Sequence, residues 1–414
     1  MKHAGLHLAL RPLHFLDAHA HLPGRYVELT REPAPKLLVW HPEVIEWLFR
    51  SDTDLRHPGS RSLIPLLGKT SMLWGDGSQH AAYRRVLGPA LRGRAVLGYR
   101  AVIADTVDAA IDRLTPGTVL PLTAWTRELA LRIIARIMLG PQGTTVLGPF
   151  AAWIDHALGS RSRTLAYRFL RGGLPSSGDR LEAMLVRTAR DAAATHPHTL
   201  VGLLLAYGGP LARISDAELR DQLVSLLFAG HETTASATAW TLYWLDRNPG
   251  IRRDVADELA ATSDDGSDAT RVPLLQAVVQ EALRLTPPVP AAGNRVLVED
   301  AELFGRRVRA GTTLSPSVYL AHRQPDYFSR PMRFDPHRFL STRAQASRYL
   351  PFGGGTRYCL GSQLSQVEVR MIVAALLRRR DLHSVNPRRG VPQLRGHTMA
   401  PADRWRVEVT ACRG

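Results

Sequence analysis

The chain has 414 residues, 45% hydrophobic and 22% charged, a balance that suits a soluble globular protein with a large core and excludes a disordered or fibrous one. Its net charge of +16 comes almost entirely from arginines that are scattered rather than blocked. No nucleic-acid motif accompanies them, so an acidic protein is the expected partner and nucleic acid is not. Two cysteines leave no disulfide framework, as in a reducing cytoplasm, and no apolar run reaches the ~18–20 residues that a membrane-crossing helix needs.

Residues 1–25 read as an irregular lead-in without a long apolar core or cleavage site. Val27–Leu29 and Leu37–Trp40 are short β-prone runs that predict a small hairpin. Pro42 then predicts a short helix through Phe49, because proline is favoured in a first turn. Over 51–73, Pro58-Gly59 and Pro65 break any long element. His80 and Arg84 stand four apart and so share one helix face. Ala101–Leu114 and Leu122–Leu139 carry apolar residues at three- and four-residue steps and predict two scaffold helices. The helical pattern of 146–195 is broken by the Gly/Pro/Ser cluster at 172–178, which predicts a mobile lid.

Ser215 and Glu218 form a capping box, each able to satisfy an unpaired N–H at a helix start. The helix they open should run to about Arg247, where Asn248-Pro249-Gly250 stops it, a span of about 45 Å at ~1.5 Å per residue. In its middle, Ala229-Gly230-His231-Glu232-Thr233-Thr234 places a glycine, an acid and two β-branched hydroxyls in an otherwise apolar element. Local rules are broken in this way where function requires it. The next helix, Val272–Leu285, carries Glu281 and Arg284 at i, i+3, a pair that alone signifies little. Small and apolar residues at Val289–Gly293 precede Arg295, and Phe304–Leu314 predicts a hairpin. Val391–Leu394 and Trp405–Val409 predict the last strands, with Pro392 placing the first at an edge.

Phe352–Gly361 runs Phe-Gly-Gly-Gly-Thr-Arg-Tyr-Cys-Leu-Gly, and a helical pattern follows. Consecutive glycines let a backbone turn tightly and approach a flat object. A thiolate at a helix start is stabilised by unpaired N–H groups and by the helix dipole. A buried Cys359 thiolate with Arg357 beside it suits an iron ligand next to an acidic cofactor edge, and thiolate is the haem ligand that favours O–O cleavage. The bland alternative is a glycine turn before an inert buried cysteine. The segment resembles the haem-ligand loop of the cytochrome P450 family, Phe-Gly-x-Gly-x-(His/Arg)-x-Cys-x-Gly, matched at Phe352, Gly353, Gly355, Arg357, Cys359 and Gly361. His80/Arg84, Gly230–Thr234 and Glu281/Arg284 occur in that family's order and with similar spacing.

The resemblance implies a mainly α fold with a minor β region around a buried haem b, in one domain over 1–414 with no membrane anchor and no fused reductase, and a cytoplasmic monooxygenase. Cys359 would be the axial ligand, with Phe352, Arg357 and Gly361 in its loop. His80, Arg84 and Arg295 would hold the propionates, and Gly230 would leave room for dioxygen. Thr233 would support the iron-bound oxygen while Glu232 relays the two protons that O–O cleavage consumes. Glu281, Arg284 and Arg338 would brace the haem loop from behind. His231 is expected to be a core contact and not a ligand. Electrons are expected from an acidic ferredoxin, with ferredoxin reductase, docking near Arg84, Arg85, Arg92, Arg94, Arg343 and Arg348. The segments 62–74, 167–180, Val289–Asn294 and Arg395–Met399 would line a mostly apolar pocket. They suit a mid-sized hydrophobic molecule (a terpenoid, polyketide or fatty acyl compound) of secondary metabolism. Three alternatives stand beside this: a haem-thiolate peroxygenase or isomerase, against which the intact Glu232–Thr233 pair argues; a non-catalytic haem gas or ligand binder; and a family member that has lost catalysis.

Overall fold

The computed structural model describes residues 4–31, 35–60, 63–171, 173–208, 211, 213–262, 271–341 and 345–412. The chain divides into two compact units, Met1–Gly59 with Gln280–Cys359, and Ser60–Val279 with Leu360–Gly414. Helices dominate and the strands are short, as the sequence predicts.

The first unit is built on a four-stranded sheet. Tyr26–Thr30 pairs antiparallel with Lys36–Val39, which pairs parallel with Thr313–Pro316, which pairs antiparallel with Arg295–Val296. The predicted first hairpin is therefore present. Pro42 opens the helix Pro42–Arg50 as expected, and its Val44, Ile45 and Leu48 face inward. Together with Leu37, Val39, Leu55, Leu297, Leu303, Val308 and Leu314, Val44 and Leu48 form one apolar cluster. Each such side chain contributes ~1.5–3 kcal/mol on leaving water. The hairpin predicted over Phe304–Leu314 lies earlier, as Ala301–Leu303 paired with Arg306–Val308. Phe304 (φ 57°) and Gly305 (φ 69°) form its two-residue turn, the left-handed pair that matches strand twist. Thr313–Pro316 belongs to the larger sheet instead.

The second unit is organised on the helix Asp216–Arg247, 32 residues long and buried along most of its length. Ser215 caps it by accepting the Glu218 N–H at 3.2 Å. The reciprocal half of the capping box is not made: the Glu218 carboxylate accepts instead from Gln79 Nε2 (2.6 Å) and Tyr83 Oη (2.5 Å). Pro249 starts the next helix, Pro249–Ala260. The two scaffold helices are Arg100–Ile111, three residues shorter at its end than predicted, and Leu122–Leu139. Helices Arg161–Leu170 and Asp179–Thr195 flank the predicted break. After the helix Ser362–Arg379, the strand Arg406–Cys412 lies between Arg380–Ser384 and Val119–Pro121. Among the described residues Pro392–Arg395 does not join that sheet and pairs with Thr398–Pro401, so its proline sits on an edge as expected. Among the described residues no helix is long and apolar enough to cross a membrane.

Candidate active site

The cysteine loop is closed by its own backbone. Gly353 N–H donates to Leu350 O and Cys359 N–H to Phe352 O, each at 3.0 Å, and Gly355–Arg357 makes one tight turn between them. Two glycines are dictated by packing within this unit. A Cβ on Gly354 would come 2.3 Å from the Phe49 ring, and one on Gly355 (φ 66°) would come 2.6 Å from Asp52 Oδ2. The expectation of a buried Cys359 is corrected: the residue is exposed, as is Tyr358, while Phe352 and Arg357 are half-buried.

Arg295 is 1% exposed, and three of its nitrogens donate within the protein: Nε to Asp52 Oδ1 (2.9 Å), Nη1 to Gly293 O (2.7 Å) and Nη2 to Gly354 O (3.0 Å). One N–H on each Nη remains for an anionic group. Asp52 itself accepts from His57 Nε2 at 3.1 Å and from Thr356 N–H (2.8 Å) and Oγ1 (2.5 Å). Burial pushes the Asp52 carboxyl up, but the His57 hydrogen bond and the Arg295 charge outweigh it and hold it well below the usual range.

Glu281, Arg284 and Arg338 come together as expected. Arg284 grips Glu281 through Nε–Oε2 (2.7 Å) and Nη2–Oε1 (2.9 Å), and Arg338 Nε reaches Oε1 at 3.2 Å. Arg284 Nη1 also donates to His322 O and Pro331 O, both at 2.8 Å. His322 connects this cluster to the cysteine loop: its Nδ1 lies 3.2 Å from Arg284 O, and its Nε2 accepts the Leu350 N–H at 2.8 Å. Burial, helped by the Arg284 charge, pushes the imidazole pKa down to about 3. A depressed histidine stabilises the fold fully above its ordinary pKa of about 6.5 and progressively less as pH falls below it. The wild-type melting temperature should therefore drop between about pH 6.5 and pH 5, and His322→Asn should flatten that slope. A wild-type melting temperature constant over this window would contradict the neutral, buried His322.

On the long helix, Leu226, Ala229, Gly230 and Thr233 are partly exposed in an otherwise buried stretch, at steps of three, one and three residues. That spacing is one helix face. Gly230 also permits close helix packing, since a Cβ there would sit 2.7 Å from Ile134 Cγ1. Thr233 Oγ1 donates to Ala229 O at 2.7 Å, which leaves its lone pairs as acceptors. Glu232 is buried, and its Oε1 is met by Arg395 Nε (3.1 Å) and by His231 Nε2 (3.2 Å). His231 Nδ1 is 2.8 Å from Leu227 O, so it is a core contact as expected. Arg395 also pairs with the exposed Asp155. Burial pushes the Glu232 carboxyl up, yet His231 and Arg395 prevail and hold it at about 2.

His80 is buried and Arg84 half-buried on the helix Gly77–Ala90, which Gln79 and Tyr83 tie to Glu218. Of the expected docking arginines, Arg85, Arg92 and Arg94 are exposed, Arg348 lies 4.3 Å over the Tyr327 ring, and Arg343 falls outside the described residues. Two expected pocket segments are anchored to the long helix. Thr70 donates to Asp221 Oδ2 through N–H (2.9 Å) and Oγ1 (2.7 Å), and Met72 N–H donates to Gln222 Oε1 (2.8 Å). Arg220 bonds Ser177 Oγ (2.6 Å) and Glu182 Oε1 (2.9 Å). Polar residues at 220–222, beside Leu219, Leu223 and Val224, were the available signal for these anchors.

A family model described as cytochrome P450 matches residues 184–402. The chain is similar to a Mycobacterium tuberculosis protein named as cytochrome P450 135A1, with 31% identity over 405 residues, 94% of this chain and 88% of that one. It is also similar to cyclooctat-9-en-7-ol 5-monooxygenase of Streptomyces melanosporofaciens, with 32% identity over 404 residues, 91% of this chain and 86% of that one. Among solved structures it resembles the retinoic acid-bound cyanobacterial CYP120A1 with a TM-score of 0.83 at 23% identity, covering 96% of this chain and 94% of that chain, a likeness of fold.

Proposed function

The chain belongs to the cytochrome P450 family and is a P450 monooxygenase, and from that premise we propose that Cys359 holds a haem b and that one atom of dioxygen goes into a mid-sized hydrophobic molecule of secondary metabolism. The observation that carries this reading is Cys359, exposed at the end of a loop that hydrogen bonds and glycine packing fix in place. The residues fit such a group. Cys359 is exposed in its unit, and in the other unit the partly exposed face of the long helix carries the Thr233 hydroxyl. When bound, the haem supplies the activation of dioxygen and the transfer of an oxygen atom, while the protein orients and protects.

The protein's share is proton handling and positioning. Glu232 is held as a carboxylate with both contacts on Oε1, which leaves Oε2 to accept a hydrogen bond from a proton donor on the path. Thr233 Oγ1, fixed by its bond to Ala229 O, accepts a hydrogen bond on the open face. His80, Arg84, Arg357 and the remaining Nη hydrogens of Arg295 would hold the propionates. Substrate class rests on the apolar 62–74 and Val289–Asn294 segments, and on a relative whose name specifies an unsaturated alcohol. The family draws electrons from redox partners, and the arginine-rich charge favours an acidic ferredoxin fed by its reductase.

Reconstitution tests the reading. With an acidic ferredoxin, its reductase and a hydrophobic compound that shifts the haem spin state (cyclooctat-9-en-7-ol among those screened), one atom of labelled dioxygen should enter the product. The rate should fall as salt shortens the Debye length below ~10 Å. Turnover by peroxide alone, with no label from dioxygen, would overturn the monooxygenase reading, and a flat salt response would overturn the acidic partner.

A further inference from the structure

The cysteine loop is held from one side by a buried ion pair. Asp52 and Arg295 are both 1% exposed and joined at 2.9 Å. The two partners grip the loop on either side of Gly355. Asp52 Oδ2 takes both the N–H and the hydroxyl of Thr356, and Arg295 Nη2 takes the carbonyl of Gly354. His57 supports Asp52 on Oδ1, and Gly355 has no Cβ because one would strike this carboxylate. From Thr356 only two residues, Arg357 and Tyr358, separate the grip from Cys359, whose N–H is itself tied back to Phe352 O. With so little slack, the backbone direction at Cys359 is set largely where Asp52 acts.

We propose that Asp52 is the positioning residue for the metal-ligating cysteine: by clamping Gly354 and Thr356 through the Asp52–Arg295 pair, it fixes the direction in which Cys359 presents its sulfur. The inference rests on Cys359 being the haem ligand. Asp52 touches no reacting atom. It acts through the loop, so its removal changes the quality of the thiolate bond more than the fact of haem binding. A carboxylate is needed in this place because it accepts four hydrogen bonds at once and neutralises Arg295. An amide of the same size turns an N–H₂ toward two of these donors, because each oxygen accepts two.

The test compares wild type, Asp52→Asn and Thr356→Val at equal haem content, by the absorption of the reduced carbon monoxide complex. Wild type is expected to show the red-shifted thiolate band. Asp52→Asn should convert roughly half or more of it to the blue-shifted form that lacks thiolate ligation, as expected when a buried charge pair is broken. Thr356→Val deletes one hydroxyl bond and strands no charge, so it keeps the proposal testable should Asp52→Asn fail to fold. On mild warming it should lose the thiolate band about tenfold faster than wild type, the factor that one hydrogen bond to a charged acceptor carries. A full thiolate band in Asp52→Asn, or equal loss rates for Thr356→Val and wild type, overturns the proposal. A wild type without the thiolate band overturns the reading of Cys359 itself, a result distinguishable from either.

Discussion

Glu281→Ala is expected to destabilise the protein by ~3–5 kcal/mol, most of the margin of a typical fold whose total is about 5–15 kcal/mol. Glu281 and Arg284 are both 0% exposed, and among the described residues Glu281 neutralises the Arg284 guanidinium at bonding distance. Its removal leaves a full positive charge in a dry interior with Arg338 close by, and strands the Asp335 N–H that Oε1 accepts at 2.9 Å. Denaturant titration should show a large shift of midpoint for Glu281→Ala. Arg338→Met should show a much smaller one, because Arg338 is partly exposed and its loss leaves Glu281 paired with Arg284. A change below about 1 kcal/mol in Glu281→Ala would mean the cluster behaves as an exposed surface pair.

Glu232→Gln is expected to lower product formation by ~10²-fold or more while electron-donor consumption continues, the loss that removing a positioned proton carrier brings. The amide keeps the size of the side chain and its place against Arg395, so binding should change little. Since Glu232 is held at about 2, it is a carboxylate at every working pH, and the wild-type rate should show no inflection from this group above about pH 3. Its folded pKa lies below the unfolded value, so the stability it contributes is present above about 4.5 and lost as pH falls toward about 2. In Glu232→Gln that part of the acid slope should disappear. Equal coupling of electron use to product in variant and wild type would remove Glu232 from the proton path.

Much of this arrangement is legible in the chain because its signals are local. The glycine turn, the cysteine and the helix after it are contiguous. Glu281 and Arg284 lie one helical turn apart, and the polar hexad at 229–234 stands out against an apolar helix. The pairings that escaped notice act over long separations. Asp52 meets Thr356 and Arg295 from 304 and 243 positions away, and Arg395 meets Glu232 from 163. Nothing in the run Ser51-Asp52-Thr53-Asp54 distinguishes the buried aspartate from the exposed one two residues later. The burial expected for Cys359 came from reading it as a thiolate ligand enclosed by its loop; the glycine turn packs against Phe49 and Asp52, and the cysteine residue is exposed. Glu218 misled in a similar way, because its carboxylate is better used by Tyr83 and Gln79 than by the helix start beside it.

The most direct measurement is the absorption spectrum of the purified, dithionite-reduced protein with and without carbon monoxide, beside Cys359→Ala. The wild type should give the red-shifted Soret band of a thiolate-ligated haem, and Cys359→Ala should not. If the wild type binds no haem, or if the band survives without Cys359, the cysteine is not the ligand and the account of this site is wrong.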